Sequence, residues 1–243
     1  MGELIKHEAV NTGLDLKRIE GGVYLLTFVG NAQHRFTPRV IRAIDDILNQ
    51  VANDAGASAL VTINQGKFFS NGMDITYLRS CDLEGAKKYL HMFHKLVSKI
   101  LTFSVPSIAI IRGHAVGAGC IFALAHDYRI MNSRRGYIFM NEVELGLPLT
   151  PGNVAVLRAK LPTETFQEVI LTGKRYGGAN AYRAGIVHDT EDKEEILLES
   201  GIKKAMEYKA RNWNKEVYHL LKMEMFKDTI RELEIGGVGF ARL

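Results

Sequence analysis

The chain has 243 residues, a formal net charge of +4, and 47% hydrophobic against 24% charged residues. This is the composition of a globular protein with a sizeable core, and its small basic excess falls short of a nucleic-acid-binding composition. Two cysteines, Cys81 and Cys120, exclude a disulfide framework and favour a reducing compartment. Neither a secretory signal nor an apolar stretch long enough to span a bilayer is predicted. We therefore expect no nucleic-acid partner and no membrane partner.

The first quarter of the chain alternates between strand and helix patterns. Residues 23–29 are β-branched and aromatic, which predicts a strand. Thr37 and Pro38 form a helix start, after which apolar residues recur at three- and four-residue spacings as far as Val51. Residues 59–63 form a short apolar run that is typical of a buried strand. A β, α, β order predicts a sheet flanked by helices.

Further along, the pattern changes from mixed α/β to mainly helical. Strands are predicted at 106–111, 128–131 and 137–140, and helices at 82–101, 120–126, 151–160, 163–171, 178–184, 193–211 and 214–233. We therefore predict an α/β core over residues 1–192, followed by a helical region over residues 193–243.

Two glycine-bearing loops, residues 66–74 and 113–120, each follow a predicted strand and precede a predicted helix. Loops of this kind can present backbone N–H groups, and the start of a helix adds the positive end of its dipole. One such loop alone is most often ordinary turn chemistry. Here, however, an acidic strand end follows at residues 141–148.

Taken together, these stretches resemble one family. The segment 106–127, with Gly-His-Ala-Val-Gly-Ala-Gly-Cys at its centre, resembles the core motif of the crotonase (enoyl-CoA hydratase/isomerase) superfamily. Phe-Ser-Asn-Gly-Met-Asp at 69–74 and Asn-Glu-Val-Glu-Leu-Gly at 141–146 are similar to two further motifs of that family, in the expected order. Leu-Thr-Gly at 171–173 and Ala-Tyr-Arg-Ala-Gly-Ile-Val at 181–187 match a later landmark. Gly-Lys-Phe-Phe-Ser-Asn-Gly at 66–72 and His-Asp-Tyr at 126–128 resemble in particular the peroxisomal Δ3,Δ2-enoyl-CoA isomerases of that superfamily.

The resemblance implies a fold and an assembly. The expected fold is a crotonase-like spiral of ββα units, followed by a helical trimerisation region, and the expected assembly is a homo-oligomer, either a trimer or a hexamer built from trimers. The apolar residues that such an assembly would bury are Ile196, Leu197, Trp213, Val217, Leu220, Leu221, Met225 and Phe226. The sequence leaves open that these faces fold back onto the chain's own core.

The resemblance also implies an oxyanion hole. Family members hold the thioester carbonyl of an acyl-CoA between two backbone N–H donors, which stabilise an enolate as a proton leaves C2. By motif position the donors are the N–H groups of Met73 and Ala118. A backbone donor tolerates most side chains, so Met73 is compatible with this role.

The number of carboxylates separates the reactions that the family performs. Hydratases use two glutamates, and the position of the first is occupied here by Ile121. The second is present as Glu142, and an isomerase needs a single base that takes a proton from C2 and returns it to C4. We expect an apolar pocket that includes Met140 and Leu145 to raise the pKa of Glu142. Glu144 is a rival carboxylate, for which we expect either a structural role or a supporting role behind the base.

Several residues are predicted to bind the acyl-CoA substrate from their motif positions: Lys67, Phe69, Ser70, Asn71, Gly72, Asp74, Gly117 and Leu147. Backbone groups of 67–72 are expected to contact the adenine, and Arg35 and Lys67 are candidates for the phosphates. Asp74 is also expected to cap a helix. Coenzyme A is part of the substrate, and neither a metal ion nor another cofactor is expected.

The remaining reactive side chains are expected to be structural. His114 and His126 have apolar neighbours, which favours packed, hydrogen-bonded histidines. Cys120 is expected to be a small buried thiol. The spacing of cysteines and histidines does not suggest a metal site.

The resulting function prediction is a Δ3,Δ2-enoyl-CoA isomerase of fatty acid β-oxidation. Two alternatives remain open: another acyl-CoA enzyme (a thioesterase, decarboxylase or hydratase), or a noncatalytic member that binds acyl-CoA or RNA. Ala241-Arg242-Leu243 matches the small–basic–leucine pattern recognised by the peroxisomal import receptor. We therefore expect a peroxisomal location, and otherwise a cytoplasmic one.

Overall fold

The computed structural model describes residues 12–236. The tripeptide Ala241-Arg242-Leu243, which carries the predicted peroxisomal signal, lies outside the described residues. Within residues 12–236, no helix combines the length and the apolar character that crossing a membrane would take.

Two sheets and the helices between them make up the described chain. The larger sheet has the order β1-β2-β3-β5-β7-β9, and all its neighbours are parallel except β1 and β2. The smaller sheet has the order β4-β6-β8 and is parallel. The strands are β1 Leu14–Arg18, β2 Val23–Phe28, β3 Ala59–Asn64, β4 Phe68–Ser70, β5 Ser107–Ile111, β6 His114–Val116, β7 Tyr128–Asn132, β8 Ile138–Phe139 and β9 Asp189–Glu191.

The helices follow the strands in a regular order. They are α1 Pro38–Asn53, α2 Ile75–Ser80, α3 Leu83–Leu101, α4 Ala118–Ala125, α5 Glu142–Leu145, α6 Pro151–Lys160, α7 Thr163–Thr172, α8 Gly178–Arg183, α9 Glu194–Lys209, α10 Lys215–Met225 and α11 Lys227–Ile235. After β2, the chain repeatedly forms one strand of the larger sheet, then one strand of the smaller sheet, then helix. This repetition confirms the expected spiral of ββα units.

Local capping residues begin the long helices where the sequence predicts. The side chain of Thr37 accepts a hydrogen bond from Val40 N, and Pro38 occupies the first turn of α1. Asp82 caps α3 in the same way, and Thr150 caps α6. Because a capping oxygen satisfies an N–H group that would otherwise have no partner, these starts are determined by local sequence.

The sequence prediction is wrong in three local respects. Strands β4 and β6 lie inside stretches predicted to be glycine loops. The acidic stretch at residues 141–148 is not a strand end, because Glu142–Leu145 forms a short helix. The helix predicted at 214–233 is two helices, with Phe226 between them.

Both faces of the larger sheet are covered. Successive residues of a strand point to opposite faces, and Leu60 and Ala109 accordingly belong to the main core, whereas Val61 and Ile108 pack against α9. Helix α9 therefore packs directly on the sheet. The division at residue 193 stays a prediction.

The C-terminal helices bury only part of the apolar set that the sequence assigned to oligomer contacts. Leu197 is 0% exposed and Phe226 is 7% exposed, because both fold back onto the chain's own core, so their assignment to an oligomer surface is wrong. The exposed members are Ile196, Trp213, Val217, Leu220, Leu221 and Met225.

Candidate active site

The three stretches singled out by the sequence follow the carboxyl ends of the strands of the smaller sheet. Met73 follows β4, Ala118 follows β6, and Glu142 follows β8, each within three residues. Because these strands are parallel and adjacent, their carboxyl ends lie at one edge of the sheet. The structure thus brings the three predicted residues to a single edge.

Glycine allows the first two stretches to touch. Gly72 has φ +75°, and a Cβ at this position would lie 2.9 Å from Val116 O and 3.2 Å from Ala118 N. Only glycine adopts this backbone conformation readily, and here it also leaves room for the backbone of the next loop. The peptide before Met73 therefore lies against the amide of Ala118.

Neither of the two amides is used as a donor within the described chain. Ala118 is the first residue of α4, so its N–H group has no acceptor within the helix. Among residues 12–236, neither the Ala118 N–H nor the Met73 N–H donates a hydrogen bond within the chain. Gly117, which precedes Ala118, is fixed by a 3.0 Å hydrogen bond from its own N–H to Phe139 O. Two free donors thus lie on neighbouring loops.

The Glu142 carboxylate lies beside the same loops. A Cβ on Gly117 would be 3.0 Å from Glu142 Oε1, and Gly117 itself has φ +53°. The other oxygen, Oε2, is buried and has no hydrogen-bond partner in the described part of the chain. Burial raises the pKa of Glu142, and backbone N–H groups of Glu142 and Asn141 offset part of the rise. A carboxyl group with a raised pKa is a stronger base than an ordinary glutamate, which suits it to take up a proton.

The rival carboxylate points elsewhere. Because α5 is helical rather than extended, Glu144 does not share a side with Glu142. It forms a bidentate ion pair with Arg175 at 2.7 and 2.9 Å. The expected pocket is also only partly correct: Met140 is buried, but Leu145 is 47% exposed and cannot enclose Glu142 within the chain.

The position of the first carboxylate in hydratases is part of the hydrophobic core. Ile121 and the following Phe122 are both 0% exposed. Ile121 lies in the first turns of α4, where its N–H donates to Gly117 O. This leaves Glu142 as the carboxylate beside the two free amides.

Of the residues predicted to bind substrate, two have side chains that a ligand cannot reach. Phe69 and Ser70 are both 0% exposed. The Ser70 hydroxyl donates to His34 O at 2.7 Å and accepts from Gly72 N at 3.1 Å. Only the backbone groups of these two residues can take part in binding. Their side chains shape the loop instead.

The other predicted binding residues lie at the surface or in the loop framework. Lys67 is exposed, with its ammonium 5.6 Å from the centre of the Phe68 ring. Asn71 donates from its side chain to Gln33 Oε1 at 3.0 Å. Asp74 caps α2, as expected, by accepting from Tyr77 N at 3.1 Å. Half-buried Leu147 donates its N–H to Glu142 O at 2.9 Å.

Two residues near Met73 have roles that sequence patterns did not reveal. Arg35, considered for the CoA phosphates, instead donates to Met73 O at 2.9 Å and to Gln33 Oε1 at 2.9 Å. Tyr89 accepts from Asp74 N at 2.9 Å, although it lies on the apolar face of α3 and resembles any core tyrosine in sequence. No local pattern could have identified either contact, because the partners are distant in the chain.

The histidine and cysteine side chains near the site are packed. His126 is bonded to Thr62 Oγ1 at 2.9 Å and to Phe122 O at 2.8 Å, and burial lowers its pKa to about 4. Burial raises the pKa of the Cys120 thiol, so it is not an activated nucleophile. Half-buried His114 stacks on Tyr137. Across the described residues, no group of three or more His, Cys, Asp or Glu side chains is arranged to hold a metal ion.

Comparisons with known proteins identify the family. Residues 18–236 match the profile of the enoyl-CoA hydratase/isomerase family. The chain is 33% identical to enoyl-CoA delta isomerase 3 of Arabidopsis thaliana, covering 88% of this chain and 93% of that protein. It is 35% identical to peroxisomal enoyl-CoA delta isomerase 2 of the same plant, covering 86% of this chain and 90% of that protein.

A solved structure supports the fold independently. The crystal structure of a probable enoyl-CoA hydratase from Mycobacterium tuberculosis H37Rv superimposes with a TM-score of 0.84 at 20% identity, covering 92% of each chain. At this identity the similarity concerns the crotonase fold alone. The profile match over most of the chain and the two curated relatives go further: the chain belongs to the enoyl-CoA hydratase/isomerase family.

Proposed function

We propose that this protein is a Δ3,Δ2-enoyl-CoA isomerase, which moves the double bond of a 3-enoyl-CoA to the trans-2 position in fatty acid β-oxidation. The observation that carries the proposal is the single carboxylate, Glu142, beside two free backbone amides, while Ile121 occupies the position of the first of the two glutamates of hydratases. The named isomerases among the relatives support the same assignment.

The proposed reaction needs one base and one oxyanion site. The N–H groups of Met73 and Ala118 donate hydrogen bonds to the thioester oxygen, and Glu142 removes a proton from C2. The electron pair of the C–H bond enters the enolate, whose negative charge the two donors stabilise. The protonated Glu142 then returns the proton to C4 as the double bond forms between C2 and C3. The reaction is redox-neutral, and we propose that it uses no cofactor apart from the coenzyme A of the substrate.

The raised pKa of Glu142 suits the first step of this cycle. A base with an ordinary glutamate pKa would take a proton from C2 weakly, and a much stronger base would be slow to return it. Burial raises the pKa of Glu142 above its ordinary value, which is the direction that the first step favours. For substrate binding we propose backbone contacts from 67–72 to the adenine, with Lys67 at the phosphates.

The direct test is the conversion of trans-3-hexenoyl-CoA to the 2-enoyl ester, which is conjugated and absorbs where the substrate does not. We expect the wild-type protein to be active and Glu142→Gln to lose activity by at least about 100-fold, because the amide cannot carry the proton. Glu144→Gln is the matched control, since its side chain is engaged with Arg175. It should remain largely active.

The outcomes separate the alternatives. Activity that survives Glu142→Gln would assign the base to another residue, with Glu144 tested next. A wild-type protein that binds CoA esters without isomerising them would refute the isomerase proposal. Product analysis with 2-enoyl-CoA and with acyl-CoA would then detect hydration, thioester hydrolysis or decarboxylation. Nucleic-acid binding with a steep salt dependence would support the RNA-binding alternative.

We also propose a homo-oligomer, either a trimer or a hexamer. Trp213, Val217, Leu220 and Leu221 are between 47% and 64% exposed. An apolar set of this size is typical of a surface that another subunit covers. Light scattering coupled to size-exclusion chromatography should give a trimer or hexamer mass. Leu221→Glu should lower it, whereas Leu171→Glu, at a 70% exposed leucine on α7, should not.

A peroxisomal location is the last part of the proposal. It is supported by the peroxisomal isomerase among the relatives and by the predicted signal at residues 241–243. A fluorescent protein fused to the amino end should enter peroxisomes. Deleting residues 241–243 should leave it in the cytoplasm, and unchanged import would refute this signal.

A further inference from the structure

The backbone around Met73 is held from behind by hydrogen bonds. Phe36 N donates to Gly72 O at 2.9 Å, and Arg35 donates to Met73 O at 2.9 Å. Because a peptide group is planar and trans, the Met73 N–H points away from the Gly72 carbonyl that Phe36 holds. The direction of the free N–H is therefore fixed by the contact between residues 36 and 73.

Tyr89 joins the two sides of that contact. Its hydroxyl donates to Phe36 O at 2.6 Å and accepts from Asp74 N at 2.9 Å. Phe36 and Met73 pair as an isolated parallel bridge, so the hydroxyl spans the bridge from one backbone segment to the other. Tyr89 itself is 2% exposed and is anchored on the long helix α3.

The protonation state of this hydroxyl is secure. Burial raises the pKa of Tyr89 to about 12, so the phenol keeps its proton at any working pH. A protonated hydroxyl can donate one hydrogen bond and accept another at the same time. Both contacts can therefore persist throughout a reaction cycle.

We propose that Tyr89 is a positioning residue, which sets the direction of the Met73 N–H by clamping Phe36 to Asp74. The inference rests on the proposed function, in which that N–H binds the thioester oxygen. The buried side chain of Tyr89 is not presented to a ligand. It acts through the backbone, so its loss should reduce the stabilisation of the developing oxyanion more than the binding of the ground-state substrate.

The primary variant is Tyr89→Phe, which deletes one oxygen and both hydrogen bonds. Removing an oxyanion donor outright costs about 100- to 1000-fold in kcat, so misdirecting one should cost about 10- to 100-fold. We expect KM for trans-3-hexenoyl-CoA to change less than about threefold, since a donor matters most in the transition state. The matched control is Tyr77→Phe. Tyr77 packs edge-on against Tyr89 at 5.0 Å and is 43% exposed.

A second measurement separates this inference from the proposed function. Hexanoyl-CoA cannot isomerise, yet the infrared stretching frequency of its thioester carbonyl should fall when the oxyanion site binds it. We expect a smaller fall in Tyr89→Phe and an unchanged fall in Tyr77→Phe. If the wild-type protein shows the fall without isomerising 3-enoyl-CoA, the proposed function fails while the Tyr89 inference is still tested by the frequency. The Tyr89 inference is overturned if the carbonyl frequency falls equally in Tyr89→Phe and in the wild type, or if it does not fall in the wild type.

A further variant covers the case in which Tyr89→Phe does not fold. Replacing Tyr89 with 3,5-difluorotyrosine keeps both hydrogen bonds near neutral pH but lowers the phenol pKa. Once ionised, the oxygen can no longer donate to Phe36 O. We expect kcat of this variant to fall with rising pH in a range where the wild type is flat. Identical pH profiles would contradict the inference.

Discussion

Lys160 should make the protein more stable as the pH rises above neutrality. Its ammonium donates to His126 O at 3.1 Å and lies 5.2 Å from the centre of the Phe226 ring. Burial, and then the nearby Arg129 guanidinium, lower the pKa of Lys160 from 10.5 to about 7. Between these two values the unfolded chain binds more protons than the folded one. The free energy of unfolding must therefore rise with pH in that window.

The size of the effect follows from the same pKa values. Each tenfold change in proton affinity is worth about 1.4 kcal/mol, which sets a ceiling of about 2–3 kcal/mol between pH 7 and pH 9. The side chain of Lys160 is half-buried and keeps part of its hydration, so we expect a rise of about 1–2 kcal/mol. Lys160→Met should remove this rise.

The assay is urea unfolding at pH 7, 8 and 9, followed by the fluorescence of Trp213, the single tryptophan of the chain. Comparing variants at each pH cancels the titration of every other group. Lys95→Met, at an exposed lysine on α3, should keep the pH dependence of the wild type. If Lys160→Met shows the same rise as the wild type, the buried ammonium is not its source.

Two further predictions concern buried titratable groups. Burial lowers the pKa of His94 and of His126 to about 4. The free energy of unfolding should therefore fall as the pH drops from about 6.5 to 4. Replacing His126 with Gln should flatten that part of a curve of Tm against pH. Asp127 accepts from Ser107 and Tyr218 and pairs with Lys222 at 2.7 Å. Asp127→Asn should lower the free energy of unfolding by about 3–5 kcal/mol, because it leaves a buried ammonium without its counterion. A decrease of less than about 1 kcal/mol in urea unfolding would contradict this prediction.

The parts of the fold that the sequence predicts are those decided by neighbouring residues. The cap at Thr37 and the apolar spacing after it determine the start and the buried face of α1 without help from the rest of the chain. The motif order likewise predicts that Met73, Ala118 and Glu142 belong to one site. The geometry at the small sheet's edge is consistent with that prediction.

The parts that escape prediction depend on partners far away in sequence. Strands β4 and β6 are three residues long, which is too short for an alternating pattern to show. They exist because each pairs with a distant strand. The role of Tyr89 is equally hard to predict, since the carbonyl to which its hydroxyl donates lies 53 residues earlier. The fold-back of Leu197 and Phe226 also depends on tertiary packing.

The spacing between the two proposed oxyanion donors can be tested through Gly119, which follows Ala118 in α4. A Cβ at this position would lie 2.3 Å from Ser70 O and 2.9 Å from Ser70 Cβ. Gly119 has ordinary helical geometry, and alanine is the better helix former by about 1 kcal/mol. Any loss of stability or activity in Gly119→Ala must therefore come from the close approach of α4 to β4. The substitution should push the Ala118 amide away from the loop that carries Met73.

We expect Gly119→Ala to lower kcat for trans-3-hexenoyl-CoA by about 10- to 100-fold, since the transition state needs both donors aligned on one oxygen. Gly201→Ala is the matched control, because its Cβ would meet the buried side chain of Ile110. Ile110 packs on the face of the larger sheet that α9 covers, away from the main core. This control should lower Tm and leave kcat near the wild-type value. Equal kcat losses in the two variants would mean that overall destabilisation, rather than donor spacing, limits the reaction. A Gly119→Ala variant with wild-type kcat would show that the two amides do not act on one oxygen.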